Sequence, residues 1–237
     1  MATPRAAARA AQTATIKEVA RRLLAERGVA GLSLREVARE MGLVSSALYR
    51  YFANRDELLT ALILDAYNDL GAAVERADRR AATLSPRERW RAAARAIRSW
   101  ARRHPHEYAL IFGTPVPGYV APDLTIVAAT RVPRVLGSIL AARAEPVTSP
   151  SAAQRADLAT FLDVEAIAQG LPDVSPTDFL GALMAWTAIF GFVSFELFGH
   201  YVGTVRNAAE MFDRVLDRVA DDLALDGPRP ISRRVAT

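Results

Sequence analysis

The sequence predicts an all-α protein: an N-terminal three-helix head holding a helix-turn-helix, then a helical-bundle body. Three observations carry this. No stretch shows the period-2 alternation of β-branched residues that a half-buried strand needs. Apolar residues recur instead at three- and four-residue spacing, as in Ile16, Val19, Ala20, Leu23 and Leu24. Helix-start signals stand in front of such runs, Ser33 with Glu36 and Ser85-Pro86 with Glu88.

Residues 1–14 are mostly small, with Pro4, Arg5 and Arg9, and are expected to form a disordered arm. The first helix is expected from about Thr15 to Arg27, its apolar stripe making a small core with Val37, Leu48 and Phe52. Gly28 suits a left-handed end to it. A second helix opens at Ser33 with Leu34, Val37, Ala38 and Met41 on one face. Gly42 breaks it where a tight turn needs positive φ. A third short helix, about Val44 to Tyr51, presents Ser45, Ser46 and Ala47. Side chains that small let a helix backbone approach a surface as crowded as the DNA major groove. Tyr49, Arg50 and Tyr51 add hydroxyls and a cation at phosphate reach. Asn54 caps the next helix, and Arg55 in its first turn is placed for a phosphate contact. The head is thus assigned to residues 15–60.

From Asn54 a long helix is expected to about Arg80. At 1.5 Å per residue it spans roughly 40 Å, enough to enter a second domain over residues 61–225. The next helix runs from Ser85-Pro86 to His104, Pro105 forces a break, and His106 to Phe112 is a short helix. Gly113 to Pro122 is a loop, and a helix from about Pro122 to Ala144 should kink or locally unwind at Pro133. Prolines bracket a helix near Gln154 to Ala168. The last two helices are expected at Ser175–Tyr201 and Val205–Leu225, before a disordered tail over 226–237.

Gly28 to Leu58 resembles the DNA-binding head of the TetR family of bacterial regulators. The matching residues are Gly28, Ser33, Gly42, Leu48-Tyr49, Tyr51-Phe52, Arg55 and Leu58. In that family the position of Arg55 is usually a phosphate-contacting lysine, and arginine keeps the charge. Val44 departs from the serine or threonine common after the turn glycine, so Ser45 is expected to take over the cap one residue on. In the body, FGTPVPGYVAP and AWTAIFGFVSFELFGHY resemble the WHG-type C-terminal domain of some actinobacterial members. Its motif falls on Trp186, Phe190 and Gly191, phenylalanine replacing the histidine.

Charge supports a DNA reader. Residues 1–55 hold ten Lys/Arg against four Asp/Glu, whereas the remainder holds twenty against twenty-two. The absence of cysteine excludes disulfides, thiolate metal sites and a cysteine nucleophile. No G-x-S-x-G, H-E-x-x-H, P-loop or G-x-G-x-x-G is present, so an enzyme has no support, and neither has a cofactor. His104, His106 and His200 read as polar residues near helix ends rather than metal ligands. No signal peptide is read at the N-terminus, so a cytoplasmic location is expected.

Residues 179–195 carry no charge. At 17 residues they are at the short limit for crossing a bilayer, and a helix apolar all round is also what a bundle buries. No membrane partner is therefore expected. With the amphipathic helix after it, this segment is expected to form a two-fold dimer interface through Ala185, Phe192, Phe212 and Leu216. Trp100, Tyr108, Phe112, Trp186 and Phe190 are the candidate walls of a pocket for a small apolar or aromatic effector. The head's partner would be a double-stranded operator. Phosphate contacts are expected from Ser33, Arg35, Tyr49, Tyr51 and Arg55, and base readout from Ser45, Ser46, Ala47 and Arg50. The reading is a homodimeric regulator, a repressor by resemblance, released from a palindromic operator by its effector. The alternative is a helical small-molecule-binding protein without specific DNA readout.

Overall fold

A computed structural model describes residues 3–143, 151–160 and 176–226. Among these the chain forms eleven α-helices and no strand. They are α1 (Pro4–Arg27), α2 (Leu34–Glu40), α3 (Ser45–Leu48), α4 (Arg55–Arg80), α5 (Pro86–Arg103) and α6 (Pro105–Phe112), then α7 (Leu124–Ala129), α8 (Arg131–Ala141), α9 (Ala152–Leu158), α10 (Pro176–Leu197) and α11 (Ala208–Asp222). They fall into two compact units. One joins the chain up to Gly71 with Ala101–Ala129, and the other joins Ala72–Trp100 with the chain from Thr130.

The first unit corrects one expectation. The arm expected to be disordered is helix from Pro4 onward. Thr3 caps it, its hydroxyl accepting the Ala6 N–H at 3.3 Å, and Pro4 occupies the first turn, where its missing N–H costs nothing. The alanines that follow are the best helix formers there are. Burial contributes nothing to these first turns, for the buried stripe of Ile16, Ala20, Leu23 and Leu24 begins only at Ile16. The compact unit that holds the head also takes in chain from beyond it. Leu110 and Ile111 of α6, with Val116 and Tyr119 of the loop after it, pack against the core of Ile16, Leu23, Leu48 and Leu59. Thr60 and Tyr119 join hydroxyls at 2.9 Å, and the Tyr67 hydroxyl donates to the Ile111 carbonyl at 3.4 Å. Gly28 has positive φ as expected (65°), but its ψ of −177° is extended rather than left-handed helical.

In the second unit, α5 lies along α11. Trp90, Ala93, Ala94 and Ile97 are buried, and the Trp90 indole donates to the Leu216 carbonyl at 3.3 Å. Outside that apolar seam, Arg87 pairs with Asp221 and Asp226, Arg91 with Asp217, Arg95 with Asp213 and Arg98 with Glu196. Helix α10 packs against α11, α8 and α9. Here the expected dimer residues are corrected: Ala185, Phe192, Phe212 and Leu216 are 2%, 5%, 1% and 0% exposed within one chain. They belong to the subunit's own core, as Phe192 against Phe212 at 5.0 Å shows, and present no surface to a second copy. Packing these stripes together removes their apolar surface from water.

The helix expected over 122–144 is two. Pro133 lacks an N–H, and its ring crowds the carbonyl four residues back. That residue is Ala129, where α7 ends. Residues 161–168 of the helix expected at Gln154–Ala168, and the tail after Asp226, lie outside the described residues.

Two ion pairs make the second unit sensitive to acid. The Arg95 guanidinium holds Asp213 below its ordinary carboxylate range, and Arg131, 2.7 Å away, does the same for Glu75. A carboxylate whose folded pKa lies below its unfolded value stabilises above the unfolded pKa of about 4, and that contribution is lost as pH falls through the folded value. Thermal unfolding between about pH 6 and pH 2 is therefore expected to show a midpoint that drops below about pH 4. Asp213→Asn with Glu75→Gln should flatten that drop and cost at most about 1 kcal/mol per pair at neutral pH, since both pairs are partly exposed. An unchanged acid limb would show that other carboxylates set it.

Candidate nucleic-acid interface

The interface is built by α2 and α3 with the turn between them. The Ser33 hydroxyl caps α2 by accepting the Glu36 N–H at 3.2 Å, and its own proton stays available to donate outward. The Glu36 carboxylate turns to Arg27 at 2.8 Å and to Arg39, tying α2 to the end of α1. Gly42, at φ 66°, makes the turn that a Cβ would strain. Regular helix α3 covers only Ser45–Leu48 and continues as turns to Tyr51, whose N–H donates to the Leu48 carbonyl at 2.8 Å.

The cap position of α3 corrects a further expectation. Val44 itself stands there, with extended backbone and no side-chain cap, and Ser45 is the first helical residue. Leu48 and Phe52 anchor this segment in the core. That orientation leaves Ser46 and Arg50 exposed and Tyr49 half exposed, with Ser45, Ala47 and Tyr51 at the edge. Val44 is 72% exposed beside them, an apolar side chain that serves no core.

Charge pairing separates two kinds of cation. Lys17 and Arg21 pair with Asp65, Arg22 with Glu40, Arg27 and Arg39 with Glu36, and Arg55 lies 3.9 Å from Asp56. Among the described residues, Arg5, Arg9, Arg35 and Arg50 have no acidic partner. Those four cations sit on the exposed first turns of α1, on α2 and just after α3.

Arg55, expected at a phosphate, turns its guanidinium inward. Its Nε donates to the Leu32 carbonyl and a terminal nitrogen to the Val29 carbonyl, each at 2.9 Å. These bonds hold the connection between α1 and α2 to the start of α4, so Arg55 positions the helix-turn-helix. Arg55→Ala is expected to destabilise the first unit by about 1.5–3 kcal/mol, the cost of losing hydrogen bonds from a charged donor. Arg55→Lys should recover only part of this, because an ammonium lacks the planar fork. Amide exchange of the head reads the effect, and an unchanged head would leave Arg55 as a phosphate contact alone.

The expected effector residues fall into two clusters. Tyr108 is fully buried on α6, 5.1 Å from Phe112, which meets Tyr67 edge-on at 6.1 Å. Burial, with the Tyr119 hydroxyl second, raises the Tyr67 pKa. In the other unit Trp186 and Phe190 stack at 4.1 Å, and Trp100 is 1% exposed. Among the described residues no three of His, Asp and Glu gather as metal ligands would.

Sequence reasoning misplaces two sets of side chains. Arg5 and Arg9 belong to a helix, and a capping threonine, a proline and an alanine run are the signals for it. The exposed apolar residues of α10, Leu183, Met184, Phe195 and Phe198 just beyond its end, are hidden by a sequence apolar on every side.

Residues 16–62 match the family described as bacterial regulatory proteins, tetR family, and residues 90–219 match a tetracyclin repressor-like C-terminal domain. The chain belongs to the TetR family of transcriptional regulators. HTH-type transcriptional regulator Rv1816 of Mycobacterium tuberculosis is 42% identical over 194 residues, covering 79% of this chain and 81% of that protein. The solved structure of a regulatory protein, SCO4313, is 33% identical and superposes with a TM-score of 0.76, covering 92% of this chain and 100% of that one. PfmR of Thermus thermophilus, a TetR family regulator at 20% identity and TM-score 0.56, shares the fold over 91% of this chain and 99% of its own. The family consists of DNA-binding regulators and not enzymes. The WHG-type assignment is carried by the resemblance around Trp186 alone.

Proposed function

We propose that this TetR regulator acts as a cytoplasmic homodimeric repressor that binds a palindromic operator and leaves it when a small apolar or aromatic molecule occupies the body. The observation that carries the DNA-facing part is the set of acid-free arginines beside an exposed, small-residue recognition helix. Ser45, Ser46, Ala47 and Arg50 would read base edges, while Ser33, Arg35, Tyr49 and Tyr51 hold phosphates, with Arg55 securing the frame. Val44, exposed at the head of α3, adds an apolar contact of the kind that meets a thymine methyl.

Effector release would run through α6. That helix carries Tyr108 and Phe112 and packs against α1 in the head's own unit, so a ligand that shifts these rings biases the head directly. The ligand acts by its differential affinity for the two arrangements. Dimerisation is assigned to the exposed apolar face of α10 and α11 instead of Ala185, Phe192, Phe212 and Leu216.

Selection from randomised duplex DNA over a salt series tests this. An inverted repeat with a steep salt slope is the expected result. Binding without any enriched sequence would overturn it and favour a helical ligand-binding protein whose head makes only electrostatic contact.

A further inference from the structure

The first turns of α1 are an ordered feature that the family match does not cover, since that match begins at residue 16. They bury no apolar stripe, yet they are capped and carry Arg5 and Arg9 one helical turn apart. Arg9 lies over the Tyr51 ring, its guanidinium carbon 5.4 Å from the ring centroid. This contact joins the start of the chain to the end of the recognition segment.

Between them is a hollow of about 590 Å³, lined among others by Thr3, Arg5, Arg9, Gln12, Arg50 and Tyr51. No carboxylate lines it, and its three arginines have no acidic partner among the described residues. Three cations held together without a counter-charge repel one another, and an anion between them relieves that repulsion. Stacking on an aromatic face orients a guanidinium while consuming none of its five N–H donors. Arg9 is thus oriented and still able to bind. Gln12 and the Tyr51 hydroxyl add neutral donors of the kind that phosphate oxygens accept.

We propose that this hollow is a phosphate-binding site for the operator backbone, formed by the helical extension and Tyr51, with the base-reading Arg50 at its rim. The proposal rests on the operator-binding reading and deepens it. The anion is a backbone phosphodiester rather than a free phosphate because two of the six named residues, Arg50 and Tyr51, directly follow α3. A duplex seated on α3 therefore passes the mouth of the hollow. The extension adds affinity and salt dependence without adding base readout.

The test uses the full chain, wild type and Arg5→Ala/Arg9→Ala, on the operator that selection recovers. Alanine keeps helix propensity, and circular dichroism checks that α1 persists. The logarithm of affinity is plotted against that of salt concentration. Each neutralised phosphate contributes about 0.9 to the slope, so one per head in a dimer predicts a variant slope shallower by about 2, with the selected sequence unchanged. Parallel lines overturn the proposal while leaving operator binding intact. A changed consensus at unchanged slope also overturns it, since the arginines would then read bases. A wild type that selects no sequence removes the operator reading, and this site with it. Inorganic phosphate at constant ionic strength, without DNA, separates the two sources. If it raises the thermal midpoint of the wild type but not of the variant while the two salt slopes stay parallel, the hollow is a small-anion site and the DNA assignment falls.

Discussion

Met184→Glu combined with Phe195→Glu is expected to leave the protein monomeric and to weaken operator binding by about 10²–10⁴-fold, the avidity that two linked heads confer. Met184 and Phe195 are 66% and 51% exposed on α10, with Phe198 at 49% just past its end and Met211 at 45% on the adjoining α11. Leu183 broadens the same face at 44%. Large apolar side chains exposed together in this way call for a partner. A second copy fits, because half-sites about one helical turn apart need two heads held at a fixed distance. Each glutamate should block that contact without replacing a buried side chain: Phe195 gives up only its ring contacts with His200 and Tyr201, while Phe192, Phe212 and Leu216 stay buried within the subunit. Sedimentation of the wild type and the variant decides it: a variant still dimeric would place the interface elsewhere. Helix α10 is also long and apolar enough to cross a membrane over Asp178–Leu197. A wild type that stays monodisperse only in detergent would assign the face to lipid.

The second large effect belongs to Trp90. Truncating it to alanine is expected to cost about 3–5 kcal/mol, the range for removing a buried aromatic side chain. The ring is 1% exposed, lies among Ala93, Ala94 and Ile97 on α5, and donates its N–H to the Leu216 carbonyl on α11. Small alanines beside it bring the helices close and are too short to fill the space it leaves. Trp90→Phe keeps most of the area and loses the hydrogen bond, and should cost clearly less. Urea unfolding of both variants measures this; a loss below about 1 kcal/mol for the alanine would mean the site collapses around it. The arginine ladder of α5 cannot compensate, for exposed pairs such as Arg95 with Asp213 stabilise by under about 1 kcal/mol each.

Much of the head is legible in the chain because its signals are local. Ser33, Gly42 and Asn54 each act within four residues of themselves, on a cap or a turn, and each does so here: Asn54 accepts the Glu57 N–H at 2.9 Å. The apolar stripes of α1 and α2 likewise bury as their periodicity requires. The start of α1 escapes a reading based on apolar stripes, because helix propensity and a cap suffice where alanine dominates. Pro133 signals a kink or local unwinding, and the crowding of the Ala129 carbonyl makes it a break.

The all-helical class, the helix-turn-helix and the side chains α3 presents thus follow from the chain alone, since capping, period and turn chemistry are short-range. Which faces of α10 and α11 lie inside is a matter of packing, because a helix apolar on every side contains no information about its neighbours. Packing also turns Arg55 inward to Val29 and Leu32 and brings Arg9 to Tyr51. Those partners are more than twenty residues away, and only the apolar core assembled between them brings their polar groups within reach.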